Sequence, residues 1–179
     1  MLQWNAIVCV HEHGWRTAFE KLGDYGILTK TSFLNVLFMK AEDMQMLLNR
    51  LRKDMEDDPA SWSFLSRLIP VTNTFTFQSP EEFEKRAKEV VLNWVPKMAG
   101  CSFHVRMRRR GFKGKLSSQD EEGFLDGFLL EALEKTGKPG HISFDDPDAI
   151  IAVETVGSWA GLSLWNREDL HRYPFIRLD

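Results

Sequence analysis

Between Cys101 and Gln119 the sequence contains no Asp or Glu, yet it holds Arg106, Arg108, Arg109, Arg110, Lys113 and Lys115. Guanidinium forks grip phosphate oxygens in pairs and ammonium groups add a less directional attraction, so this segment offers the chemistry of polyanion binding. Gly111 and Gly114 make the loop mobile, and Phe112, an apolar ring inside it, has the shape to stack on an unpaired base. Ser117 and Ser118 stand where the next helical stretch opens, and a helix N-terminus adds backbone amides and partial positive charge. The 179 residues carry a net charge of −3. The block is therefore an electropositive spot on an acidic chain, and local potential rather than net charge governs encounter with nucleic acid. The competing reading is a basic loop that docks an acidic protein, with the chain serving as an interaction scaffold.

A third reading, a small metal-dependent enzyme, starts from Cys9, His11 and His13, which would share one side of an extended strand and are of the types that hold zinc. A tetrahedral site needs a fourth donor, and the candidates (Cys101, His104, His141, His171) are remote in sequence. A buried cysteine followed by exposed histidines is the better expectation, so no metal or other cofactor is expected. Gly111-Phe112-Lys113-Gly114 satisfies the GxxG pattern of a backbone-clamping loop but follows a strand, where that pattern requires a helix. Asp145, Asp146 and Asp148 surround Pro147 without the spacing of a calcium loop, which points to turn chemistry. No nucleophile sits in a Gly-x-Ser-x-Gly elbow. No apolar run reaches the ~18 residues of a membrane span, the N-terminus has no secretory pattern, and two distant cysteines make no disulfide scaffold. The cytoplasm is the expected location.

The elements that must position the basic block follow from periodicity. Trp4 to Val10 predicts a strand. Trp15, Ala18, Phe19 and Leu22 predict a short helix, and Ile27 to Met39 a hairpin turning near Lys30-Thr31-Ser32. Met44, Leu47, Leu48, Leu51 and Met55 mark a second helix, and a strand is expected around Leu68 to Phe75, kept to an edge by Pro70. The order β-α-β-β-α-β is that of a split βαβ, ferredoxin-like unit. Ser79 with Glu82 forms a capping box opening a helix through Met98, kinked at Pro96 and stopped at Gly100. Ser102 to Arg108 alternates as a strand, with His104, Arg106 and Arg108 on one face. A second capping box, Ser118 with Glu121, opens a helix whose apolar face is Phe124, Phe128, Leu129, Ala132 and Leu133. Strands at Ala149 to Val156 and Trp159 to Trp165 complete an α-β-α-β-β order, and the boundary between the two halves is placed near residue 78. Trp15, Trp94, Trp4 and Trp165 are expected in cores, while Trp62 and Trp159 are candidate domain-interface anchors.

Phe103-His104-Val105-Arg106-Met107-Arg108-Arg109-Arg110-Gly111, followed by Ser117-Ser118-Gln119-Asp120-Glu121, resembles the THUMP RNA-binding domain. Phe144-Asp145-Asp146-Pro147-Asp148 before Ala149-Ile150-Ile151-Ala152-Val153-Glu154 is similar to that family's Asp-x-Pro-Asp stretch. Gly161-Leu162-Ser163-Leu164 and the stretch from Arg167 to Phe175 look like stand-alone THUMP proteins, which resemble the RNA-binding adaptor of eukaryotic tRNA cytidine acetylation. The resemblance covers residues 79 to 175. It implies an α+β chain with a ferredoxin-like domain at 1–78 and a THUMP domain at 79–179. It also implies binding of tRNA at its acceptor end and single-stranded 3′ tail, with neither DNA nor membrane as partner. The chain ends at Asp179 without room for a thiolation, methylation or deamination domain, so the expectation is a non-enzymatic adaptor working with a separate modifying enzyme such as an acetyltransferase. The expected RNA-binding set is Arg106, Arg108, Arg109, Arg110, Lys113, Lys115, Ser117 and Ser118, with Arg167 added just past the final strand.

Overall fold

The computed structural model describes residues 2–178 and shows an α+β chain that divides into two compact units, residues 2–71 with 170–177 and residues 72–169 with 178. In the first unit, β1 (Ala6–Val10), α1 (Trp15–Leu22), β2 (Gly26–Lys30), β3 (Val36–Ala41), α2 (Met44–Asp57) and β4 (Leu65–Pro70) follow in sequence. The strands form one antiparallel sheet in the order β2-β3-β1-β4, the ferredoxin-like arrangement. Each of β1's residues is buried because the strand is central, whereas β4 is an edge strand and tolerates Pro70 there. The β2–β3 turn is closed by the Thr31 hydroxyl, which donates toward the Phe33 and Val36 carbonyls, and by Asn35 in the left-handed region at φ 60°. Asp43 caps α2 by accepting from the Met46 amide at 2.9 Å, and α2 buries Leu47, Leu48 and Leu51. Trp62, one of the two tryptophans left unplaced by sequence, is buried within this unit 5.5 Å from the Phe64 ring.

The segment 170–177 belongs to this same unit. The Phe175 carbonyl accepts from the Leu68 amide at 3.1 Å, and the Tyr173 hydroxyl donates to Asn49 at 2.9 Å while accepting from Gln45 at 2.8 Å. Tyr173, Phe175 and Ile176 are buried.

The cysteine–histidine cluster does not form. The strand ends at Val10, His13 takes φ 64°, and both histidines are exposed while Cys9 is buried. Leaving the strand breaks the alternation that would have aligned the three side chains. Among the described residues no group of three His, Cys, Asp or Glu is placed to hold a metal ion. No helix among them is long and apolar enough to cross a membrane.

The second unit holds β5 (Asn73–Thr76), α3 (Pro80–Leu92), α4 (Val95–Met98), β6 (Ser102–Arg108), α5 (Ser118–Lys135), β7 (His141–Ile142), β8 (Ala149–Val156) and β9 (Trp159–Asn166). The single strand expected over Leu68 to Phe75 is two strands in two sheets. The Val71 amide donates to the Asn5 carbonyl, and the very next amide, of Thr72, donates to the Leu162 carbonyl. The handover therefore falls at 71/72, several residues before the capping box at residue 79 that marks the boundary in the sequence. The second sheet runs β5-β9-β8-β6-β7, with β6 parallel to both β8 and β7. Its core is built from Phe77, Phe83, Phe103, Val105, Leu125, Leu129 and their neighbours. The kink expected at Pro96 is a break two residues earlier, at Asn93-Trp94, with Pro96 inside the first turn of α4, where proline costs no hydrogen bond. α6 (Arg167–Arg172) follows β9 directly.

Candidate nucleic-acid interface

β6 and the loop after it carry the basic block. Phe103, Val105 and Met107 face the core, which turns His104, Arg106 and Arg108 to the other side. Arg106 and Arg108 are exposed there, and His104 is buried. The short β7 pairs only with Ser102 and Phe103. Past its end, the amides of Val105 and Met107 donate to side chains of α5, Asp126 at 2.9 Å and Glu122 at 2.8 Å. Carboxylates on a helix thus finish an edge that has run out of strand. The Nε of Arg106 donates to the Leu178 carbonyl at 3.1 Å.

Arg110 does something different from its neighbours. Its guanidinium meets Glu154 at 2.8 Å, and the two side chains are 14% and 2% exposed. Its amide donates to the Thr155 hydroxyl at 3.2 Å and its carbonyl accepts from the Gly157 amide at 2.8 Å. These contacts tie the loop to β8.

Phe112 is likewise turned inward. It sits at φ 51° between Gly111 and Gly114, both also at positive φ, and its ring packs 4.9 Å from Phe77. The glycines serve this tight turn, so the loop is tied down where sequence suggested mobility, and Phe112 is its anchor rather than a stacking surface. The Phe112 carbonyl accepts from the amides of Lys115 and Leu116, and Leu116 is buried. What the anchored loop leaves exposed are Lys113 and Lys115. Arg109 is half-buried and donates to the Gly111 carbonyl.

The helix cap shifts by one residue from the expected Ser118–Glu121 box. Ser117 is the cap, accepting from the Asp120 amide at 3.3 Å, and Ser118 is the first helical residue. The apolar face shifts with it: Leu125, Leu129 and Leu133 are buried, while Phe124 and Phe128 lie half-exposed with the Lys88 ammonium 5.8 and 5.7 Å from their rings. Glu121, the expected box partner, is instead drawn into the interior. Burial, then the charge and hydrogen bond of Glu84, then Asp120 and Glu81, push its carboxyl up to about 7. Burial likewise raises Asp126 to about 6, opposed by the Val105 amide and assisted by Glu122.

Arg167 is also committed within the chain. It donates from Nε to Asp146 at 2.8 Å and from NH2 to the Asp146 carbonyl at 2.6 Å, and it pairs with Asp148 at 3.3 Å. Asp148 and Ser102 exchange backbone and side-chain hydrogen bonds, both at 2.9 Å. The Ser102 bonds first, and the Arg167 charge after them, hold the Asp148 carboxyl below the usual carboxylate range. The three aspartates are thus a tied turn, and Arg167 is its clasp.

The arrangement is a basic strand-loop-helix surface on a mixed sheet backed by helices, and the fold recurs in several solved structures. The protein PH1313 from Pyrococcus horikoshii aligns over 90% of this chain and 54% of its own, with a TM-score of 0.57 at 13% identity. A 4-thiouridine synthetase solved as an RNA complex with bound ATP aligns over 92% of this chain and 42% of its own, with a TM-score of 0.53 at 13% identity. A putative methyltransferase complexed with SAH aligns over 90% and 41%, with a TM-score of 0.52 at 16% identity. These likenesses support a THUMP-like fold. The chain spans about half or less of the length of each of these structures. No protein-family model matches the chain, and neither does any curated protein. The expectation of a non-enzyme is corrected here: the architecture recurs in structures named as a thiouridine synthetase, a methyltransferase and methylases, so it is one that enzymes carry.

Proposed function

We propose that the protein binds RNA in the cytoplasm through the β6–loop–α5 surface, and that its ligand is tRNA held at the acceptor end with its single-stranded 3′ tail. Bound there, the tRNA is offered to a modifying catalytic centre, for which a cytidine acetyltransferase is the proposed partner. The observation that carries this reading is the sorting of the basic block. Arg110 is withdrawn into an ion pair that fixes the loop, while Arg106, Arg108, Lys113 and Lys115 remain at the surface and Arg109 lies at its margin. A segment that merely balanced charge would have no need to hold its cations outward on an anchored loop. The likeness to a synthetase solved with RNA supports the same reading.

Binding through these cations releases counterions, so affinity for tRNA should fall steeply with salt. The double variant Lys113→Ala/Lys115→Ala should flatten the slope of log affinity against log salt by roughly 1.5–2. Its thermal midpoint should match the parent, because both side chains are exposed. Filter binding across a salt series measures the first and a thermal melt the second. An unchanged slope removes the loop from the interface.

A further inference from the structure

We infer that Phe144 is a stacking platform for an unpaired nucleobase, set against His104 at one end of the β6 face that also carries Arg106 and Arg108. The inference rests on the RNA-binding reading above and names the contact that would distinguish a single strand from a duplex. Among the described residues, Phe144 is the one phenylalanine classed as exposed, with 76% of its surface in water. An apolar ring left in water is not by itself unusual. What sets this one apart is how it is held. One side leans on the His104 ring, centroids 5.4 Å apart and planes tilted by 47°. His104 is itself buried and pinned through Nδ1 to the Ser143 carbonyl at 2.9 Å.

The turn that carries the ring is fixed on both sides. Before it, the Ser143 amide donates to the Phe103 carbonyl at 3.1 Å and the Ser143 hydroxyl to the Asp145 carbonyl at 2.8 Å. After it, Arg167 clasps Asp146 and Asp148, and Asp148 exchanges hydrogen bonds with Ser102. Much of the ordering that a flexible loop would undergo on binding is therefore already done.

The position supplies the ligand's chemistry. His104, Arg106 and Arg108 alternate along one face of β6, in steps of ~7 Å. A ring buttressed on His104 thus begins a row of strand positions that continues with Arg106 and Arg108. An unpaired nucleotide matches that row, its base lying on the exposed face of Phe144 and its backbone running toward the arginines. Stacking on an aromatic ring is insensitive to base identity.

The test uses two RNA hairpins with one stem sequence, one blunt and one with a four-nucleotide single-stranded 3′ overhang. Phe144→Ala is expected to weaken binding of the overhang RNA about tenfold and to leave the blunt hairpin unaffected. Phe144→Leu, which keeps apolar bulk without a π-face, should lose the same affinity, and Phe144→Trp should keep it. Overhang affinity unchanged in Phe144→Ala, in a parent that binds both RNAs, overturns the platform and leaves the RNA-binding reading standing. An equal loss on both hairpins also overturns it, since the ring would then support the surface generally. A parent that binds neither RNA but retains a protein partner sensitive to Phe144→Ala overturns the platform together with the reading beneath it.

Discussion

Replacing Arg110 with alanine is expected to destabilise the protein by about 3–5 kcal/mol, the range for removing one member of a buried ion pair. The reason is asymmetric. Glu154, 2% exposed, would lose its 2.8 Å partner while still buried, whereas the opposite deletion leaves a guanidinium already 14% exposed and long enough to reach water. In a chain of this size the loss corresponds to a thermal midpoint lower by on the order of 10 °C. The Lys113/Lys115 variant should melt with the parent, so two cationic substitutions a few residues apart separate stability from affinity. Thermal unfolding with tRNA titration at low temperature tests this. Lost affinity with an unshifted melt would return Arg110 to the phosphate-binding set.

The second large effect is pH-dependent and runs opposite to ordinary acid denaturation. Glu121 is 4% exposed, its Oε2 has no hydrogen-bond partner, and its carboxyl is pushed from 4.5 to about 7 by burial and the neighbouring Glu84. Between those two values the folded chain holds a proton that the unfolded chain has released, so stability falls as pH rises through the window. Below about pH 4.5 both states are protonated and the difference vanishes; above about 7 the penalty is complete. The penalty is about 3 kcal/mol for this one group. Asp126, raised to about 6, adds a change of the same sign beginning lower in pH. Glu121→Gln, a neutral isostere, should therefore raise stability clearly at pH 8 and hardly at pH 5, as measured by denaturant unfolding at the two values. Equal effects at both would mean that Glu121 is ionised in the folded protein throughout.

The elements were largely legible in the sequence because most are amphipathic and punctuated. The hairpin at residues 26–41, the Ser79 cap and the Gly157-Ser158 turn are where spacing and turn chemistry put them. The split of residues 65–76 between two sheets was not legible, since no glycine or tight-turn signal separates Val71 from Thr72 and only the identity of the pairing strand changes. The site shows the same limit. Phe112 reads as a stacking ring because it lies among cations, and nothing near it in sequence announces Phe77 as its partner. Phe144 escaped notice because it precedes three aspartates and a proline, a context that signals a turn. Arg110 differs from Arg108 only by where the strand ends. Glu154, 44 residues away in sequence, decides its role.

The chain passes between its two units three times, at 71/72, at 169/170 and at 177/178. The segment 170–177, made later, therefore completes a unit whose strands were made earlier. As the polypeptide leaves the ribosome, β1 to β4 emerge early, yet the Leu68 amide meets its acceptor, and Asn49 and Gln45 their tyrosine, only after residue 175 is out. The N-terminal unit has to wait, its β4 margin uncovered, while about a hundred intervening residues are translated and fold. Vectorial, unit-by-unit maturation is the common route for multidomain chains. This topology adds a late closure: the β4 margin gains its partner only when the segment 170–177 arrives.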